Sequence, residues 1–72
     1  MKISYDAEVD ALYIRLVDGP RQCRTVRLSD EVALNMGPGE ELVGIEILDA
    51  KQVLGSGKLP KLVVENVPMA KT

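Results

Sequence analysis

The sequence predicts a mainly β (α+β) fold, a single antiparallel meander sheet of about five strands with one short helix after the last strand. Two observations predict it. Apolar and polar residues alternate with period two in successive runs between residues 11 and 47. The residues between those runs are turn formers: Asp18-Gly19-Pro20, Ser29-Asp30-Glu31 and Gly37-Pro38-Gly39.

Matching apolar faces across each turn sets the register, because opposed residues share a face and a one-residue slip would bury the wrong set. In the first strand Ile3 and Tyr5 oppose Ile14 and Leu12 across a turn at 6–10. The second strand puts Leu12, Ile14 and Leu16 on one face and Tyr13 and Arg15 on the other. A turn at 18–22 leads to a third strand in which Leu28 opposes Leu12, Val26 opposes Ile14, and Tyr13 faces Arg27 on the outside. The fourth strand returns through Ser29, Asp30 and Glu31 with Val32 opposite Leu28 and Leu34 opposite Val26. After the turn at 37–40, Val43, Ile45 and Ile47 oppose Met36, Leu34 and Val32. Asp49 and Gln52 have the spacing of a capping box, so a short helix is expected to begin at Ala50, present Val53 and Leu54 to the sheet, and end at Gly55-Ser56-Gly57.

Such a sheet has one apolar face, and a helix of little more than one turn does not cover five strands. The remaining cover is expected from residues 59–67, from a second copy of the chain, or from both. Leu62, Val63, Val64 and Val67 lie between Pro60 and Pro68, where β-branching fits a strand and the spacing also fits a short helix starting at Pro60. Residues 1–68 are read as a single β-rich domain and residues 69–72 as a frayed tail.

The chain has 72 residues, and burying its apolar surface stabilises it by on the order of 100 kcal/mol. Ordering the residues at about 1.5 kcal/mol each costs nearly the same, which makes homo-oligomerisation, with a dimer favoured, a physical expectation. Cys23 is the sole cysteine and there is no histidine, so an intramolecular disulfide is impossible and the thiol has no imidazole to activate it. No cofactor is expected. A formal net charge of −2, with Tyr5 and Tyr13 as the only aromatics, argues against direct nucleic-acid binding. Arg15, Arg21, Arg24 and Arg27 are more simply read as solvated strand residues paired with nearby acids than as a basic strip. Nothing in residues 1–10 reads as a secretion signal and no run approaches a membrane span, so the expected location is cytoplasmic.

Chemistry is sparse. Asp6, Glu8 and Asp10, with Glu46 and Asp49, are oxygen donors of the kind that hold Mg²⁺, Mn²⁺ or Ca²⁺, but the spacing lacks the glycine and terminal glutamate of a calcium loop. Asp6 and Asp10 equally suit a turn. Glu46 points away from the apolar face and is expected in solvent or beside Arg15 or Arg27. Gly37 to Gly39 lacks the lysine and hydroxyl of a phosphate loop and reads as a turn. Gly44 in mid-strand marks a bulge or a close backbone approach, and with Leu62, Val63 and Val64 it is a candidate interface position.

Three stretches resemble a known family: Met1-Lys2-Ile3-Ser4-Tyr5-Asp6 followed by Glu8, Asp10-Ala11-Leu12-Tyr13-Ile14-Arg15-Leu16, and Leu42-Val43-Gly44-Ile45-Glu46-Ile47-Leu48-Asp49-Ala50. Together, over about residues 1–54, they look like the small prokaryotic family named domain of unknown function 2283. The resemblance implies no assigned activity and no catalytic residues, and a size similar to that of compact partner proteins encoded beside toxins. The leading expectation is therefore a non-enzymatic interaction or regulatory module, acting as a homo-oligomer and in one version as an inhibitor-type protein partner. The alternative is a carboxylate-based, metal-dependent hydrolase using Asp6, Glu8, Asp10 and Glu46, or a small-ligand-binding protein.

Overall fold

A computed structural model describes residues 1–66 and Pro68. Its elements are β1 (Lys2–Asp6), β2 (Ala11–Arg15), β3 (Arg24–Arg27), β4 (Val32–Met36), a 3-10 turn (Pro38–Glu40), β5 (Leu42–Ile47) and α1 (Ala50–Gly55). All five strands form one antiparallel sheet in the order β1-β2-β5-β4-β3, with the single short helix after the last strand.

Three of the four expected strand pairings form. Ile3 opposes Ile14 and Tyr5 opposes Leu12 between β1 and β2. Val26 opposes Leu34 between β3 and β4, and the Leu28 N–H donates to the Val32 carbonyl at 2.8 Å. Val32 opposes Ile47 and Leu34 opposes Ile45 between β4 and β5. The expected β2–β3 pairing does not form: β2 lies against β5, so that Leu12 meets Ile47 instead of Leu28, Ile14 meets Ile45 instead of Val26, and Tyr13 meets Glu46 instead of Arg27. The reason is physical. β2 needs an aliphatic neighbour with the right parity, and β5 supplies one at every position that β3 does, over six residues instead of four.

The end of the β4–β5 ladder also departs from the expected register. Met36 opposes Leu42 and not Val43, because an irregularity at Asn35 and Met36 leaves Val43 as an extra residue, and Val43 is fully buried there.

The registers line up across the sheet. One row reads Ile3, Ile14, Ile45, Leu34, Val26 and the next Tyr5, Leu12, Ile47, Val32, all on one face. The other face carries Lys2, Arg15, Gly44, Asn35, Thr25 and then Ser4, Tyr13, Glu46, Ala33, Arg27. Period-two patterning has produced a sheet with an aliphatic side and a polar side.

The helix starts at Ala50 as expected, but not through a capping box. Asp49 is in the left-handed region (φ 51°) and its side chain caps nothing. The cap comes from the β1–β2 turn, where the Asp10 carbonyl accepts the Ala50 N–H at 3.0 Å and the Asp10 carboxylate accepts the Lys51 N–H at 3.3 Å. Ala50 is buried, and of the pair expected to face the sheet Leu54 lies over Ile3, Leu12 and Ile14, though it and Val53 stay about two-fifths exposed. Residues 59–66 form neither the strand nor the helix considered for them. Val67 and residues 69–72, the expected frayed tail, lie outside the described residues.

Candidate functional site

The polar face is finished within one chain. The Tyr13 ring lies across Gly44, where a Cβ would collide with the phenol and come within 3.1 Å of the Ile14 carbonyl. The Asn35 side-chain amide donates to the Tyr13 hydroxyl at 2.9 Å, fixing the ring from the neighbouring side. One row away, Arg27 stands 4.0 Å from Glu46, and Ala33 between them is 2% exposed. Gly44, expected at a subunit contact, is thus buried under a residue of its own chain.

The four arginines are all engaged. Arg21 pairs with Glu41 at 2.8 Å and Arg24 with Glu40 at 2.7 Å, while Arg15 donates to the carbonyls of Val17, at 2.7 Å, and of Gly19. With Arg27 beside Glu46, no continuous unpaired basic strip arises from them.

The carboxylates considered as metal ligands have separate structural tasks. Asp6 accepts the Glu8 N–H at 3.0 Å and shapes the β1–β2 turn, and Glu8 is exposed in it. Asp10, itself left-handed (φ 53°), holds the helix start and accepts the Tyr5 hydroxyl at 2.7 Å. That hydrogen bond to a carboxylate, together with partial desolvation, raises the Tyr5 phenol above its ordinary range. Glu46 sits on the polar face, and Asp49 is exposed at the β5–α1 junction. Among the described residues no group of three acids, cysteines or histidines converges as a cation site, and no polar or charged residue is buried.

The apolar face is different. Leu12, Ile14, Val26, Val32, Leu34, Met36 and Ile45 are only half-buried and Ile3 is 42% exposed; of the two rows only Ile47 is buried. Leu54, Leu59, Pro60, Lys61 and Leu62 lean over Ile3, Leu12 and Ile14 and leave an apolar groove of about 290 Å³ beneath them. Leu62 and its neighbours Val63 and Val64, the other candidate interface residues, are 66%, 62% and 51% exposed. No helix among the described residues is long and apolar enough to cross a membrane.

Two features escaped the sequence reading. Asp10 as a helix cap supplied from another turn had no local signal, since capping patterns are sought next to the helix they serve. Tyr13 as the cover of Gly44 had one: a mid-strand glycine and an aromatic residue on the same face become neighbours once β2 lies against β5.

Neither the curated proteins nor the solved structures contain a match to this chain. A family model described as "Protein of unknown function (DUF2283)" matches residues 2–51, from the first strand into the helix. The chain belongs to that family.

Proposed function

We propose that the protein is a non-catalytic interaction module that acts as a homo-oligomer, in the simplest case a dimer, and regulates a protein partner. One observation carries this reading: two adjacent aliphatic rows span the sheet, yet of their side chains only Ile47 is buried by the chain itself. Branched aliphatic residues gain about 1.5–3 kcal/mol each from full burial, and rows left partly exposed leave part of that gain to an assembly.

General acid or base catalysis relies on a carboxyl group desolvated to tune its proton affinity, and the acids here are solvated or engaged in turns and ion pairs, which favours a binding role.

The solution mass tests the reading. Light scattering over a dilution series is expected to return at least twice the chain mass of 7.9 kDa at micromolar concentration. A folded monomer throughout the series contradicts it.

A further inference from the structure

The sheet has two outer edges, β1 and β3. An edge strand carries a row of unpaired backbone groups, a template for another strand. The Leu16 N–H donates to the Val43 carbonyl at 2.7 Å, across to β5. By the alternation of an antiparallel ladder, Leu12 and Ile14 then direct their backbone groups towards β5, and Ala11, Tyr13 and Arg15 direct theirs towards β1. Their partners on β1 are Asp6, Ser4 and Lys2, so the groups pointing outward belong to Ile3 and Tyr5. Among the described residues no backbone hydrogen bond reaches them from outside the strand.

β1 reads Lys-Ile-Ser-Tyr-Asp, which is complementary to its own reverse. When a second copy is laid antiparallel about a two-fold axis at Ser4, Lys2 meets the partner's Asp6, Ile3 meets the partner's Tyr5, and Ser4 meets the partner's Ser4. The polar face gains two opposite-charge pairs and the apolar face two aliphatic–aromatic pairs. The outward N–H and C=O groups of Ile3 and Tyr5 close the backbone ladder. The aliphatic row ending at Ile3 runs on into the partner's Tyr5, and the two grooves beside Ile3 come together on one face. β3 offers no such match: Arg24-Thr25-Val26-Arg27 has two arginines and no acid, so pairing it with itself gathers four arginines.

The geometry points to a homodimer joined through β1, antiparallel and centred on Ser4, giving a continuous ten-stranded sheet. This inference rests on the homo-oligomer reading above and assigns the edge through which two copies join, with their apolar faces side by side on one side of the joined sheet. Because Ser4 points its backbone inward, the two Ser4 residues face each other as a non-hydrogen-bonded pair with Cα atoms about 4.5 Å apart, within the span of a disulfide.

The test combines mass with cross-linking. In a Cys23→Ser background, Ser4→Cys is expected to form an intersubunit disulfide under mild oxidation, and Thr25→Cys on the opposite edge is not. Lys2→Glu places like charges opposite each other twice and is expected to raise the dimer dissociation constant about tenfold at low salt, with recovery when Asp6→Lys is added. A dimer by light scattering that neither cross-links through residue 4 nor responds to Lys2→Glu overturns the β1 join and leaves the oligomer reading intact. A monomer at every concentration overturns both.

Discussion

The two faces of this sheet are built to different degrees of completion by the same chain. On the polar side Tyr13 covers Gly44, Asn35 holds the Tyr13 hydroxyl, Arg27 stands beside Glu46, and Ala33 is sealed between them. On the apolar side nine residues align in two rows across the strands, and Ile47 is the only one of them buried. Polar and aromatic side chains can satisfy one another across neighbouring strands, whereas an aliphatic face needs a second layer. The contrast assigns stability within the copy to the polar face and the capped helix, and assembly to the apolar face and its edge.

The comparison breaks most visibly at Ile47, the one member of the two rows that the chain itself buries. Ile47→Ala is expected to cost about 2–4 kcal/mol, and at the usual scaling for a domain this small to lower the melting temperature by roughly 10–25 °C. Gly44→Ala attacks the polar face by unseating Tyr13 and its bond from Asn35, at about 1–3 kcal/mol. Combined with Tyr13→Ala its added cost should largely vanish in a double-mutant cycle, and full additivity would show that Tyr13 does not rest on Gly44.

Asp10→Ala removes the acceptor for the Lys51 N–H and the Tyr5 hydroxyl together. A loss of about 1–2 kcal/mol is expected, with loss of helical signal in circular dichroism ahead of the main transition. A melt indistinguishable from the parent would rule out the cap. The smallest effect is in alkaline solution. The folded-state affinity of Tyr5 for its proton is raised above that of a free phenol, whose pKa is about 10, so its contribution is intact below that pH and is lost as pH rises through the folded value. Tyr5→Phe should flatten that part of the pH–stability profile, and an unchanged profile would show that the hydrogen bond to Asp10 does not drive it.

Much of this architecture was legible from residues alone. Alternation and turn chemistry located all five strands, and face matching placed Ile3 against Ile14, Val26 against Leu34, and Leu34 against Ile45. It misplaced β2 because parity says which residues share a face and not which strand lies alongside. Ile45 and Ile47 satisfy Ile14 and Leu12 as well as Val26 and Leu28 do, and only the whole sheet decides between them. The helix was placed by the spacing of Asp49 and Gln52 and by its end at Gly55-Ser56-Gly57, but Asp49 caps nothing and the real cap was not legible, since Asp10 lies forty-one residues from Lys51. Of the candidate site, the open apolar face was readable from the pattern, and the role of Gly44 followed only after β2 and β5 were joined.

The most direct measurement is the melting temperature of the wild-type chain and of Ile3→Glu over a hundredfold range of protein concentration. Ile3 ends an apolar row on the β1 edge and is 42% exposed in the single copy, so a charge there should cost the assembly more than the isolated fold. The wild-type melting temperature is expected to rise with concentration, as for any fold stabilised by association, and Ile3→Glu to abolish the rise. A wild-type melting temperature independent of concentration, with a monomeric mass, would contradict the claim that the apolar face is completed between copies.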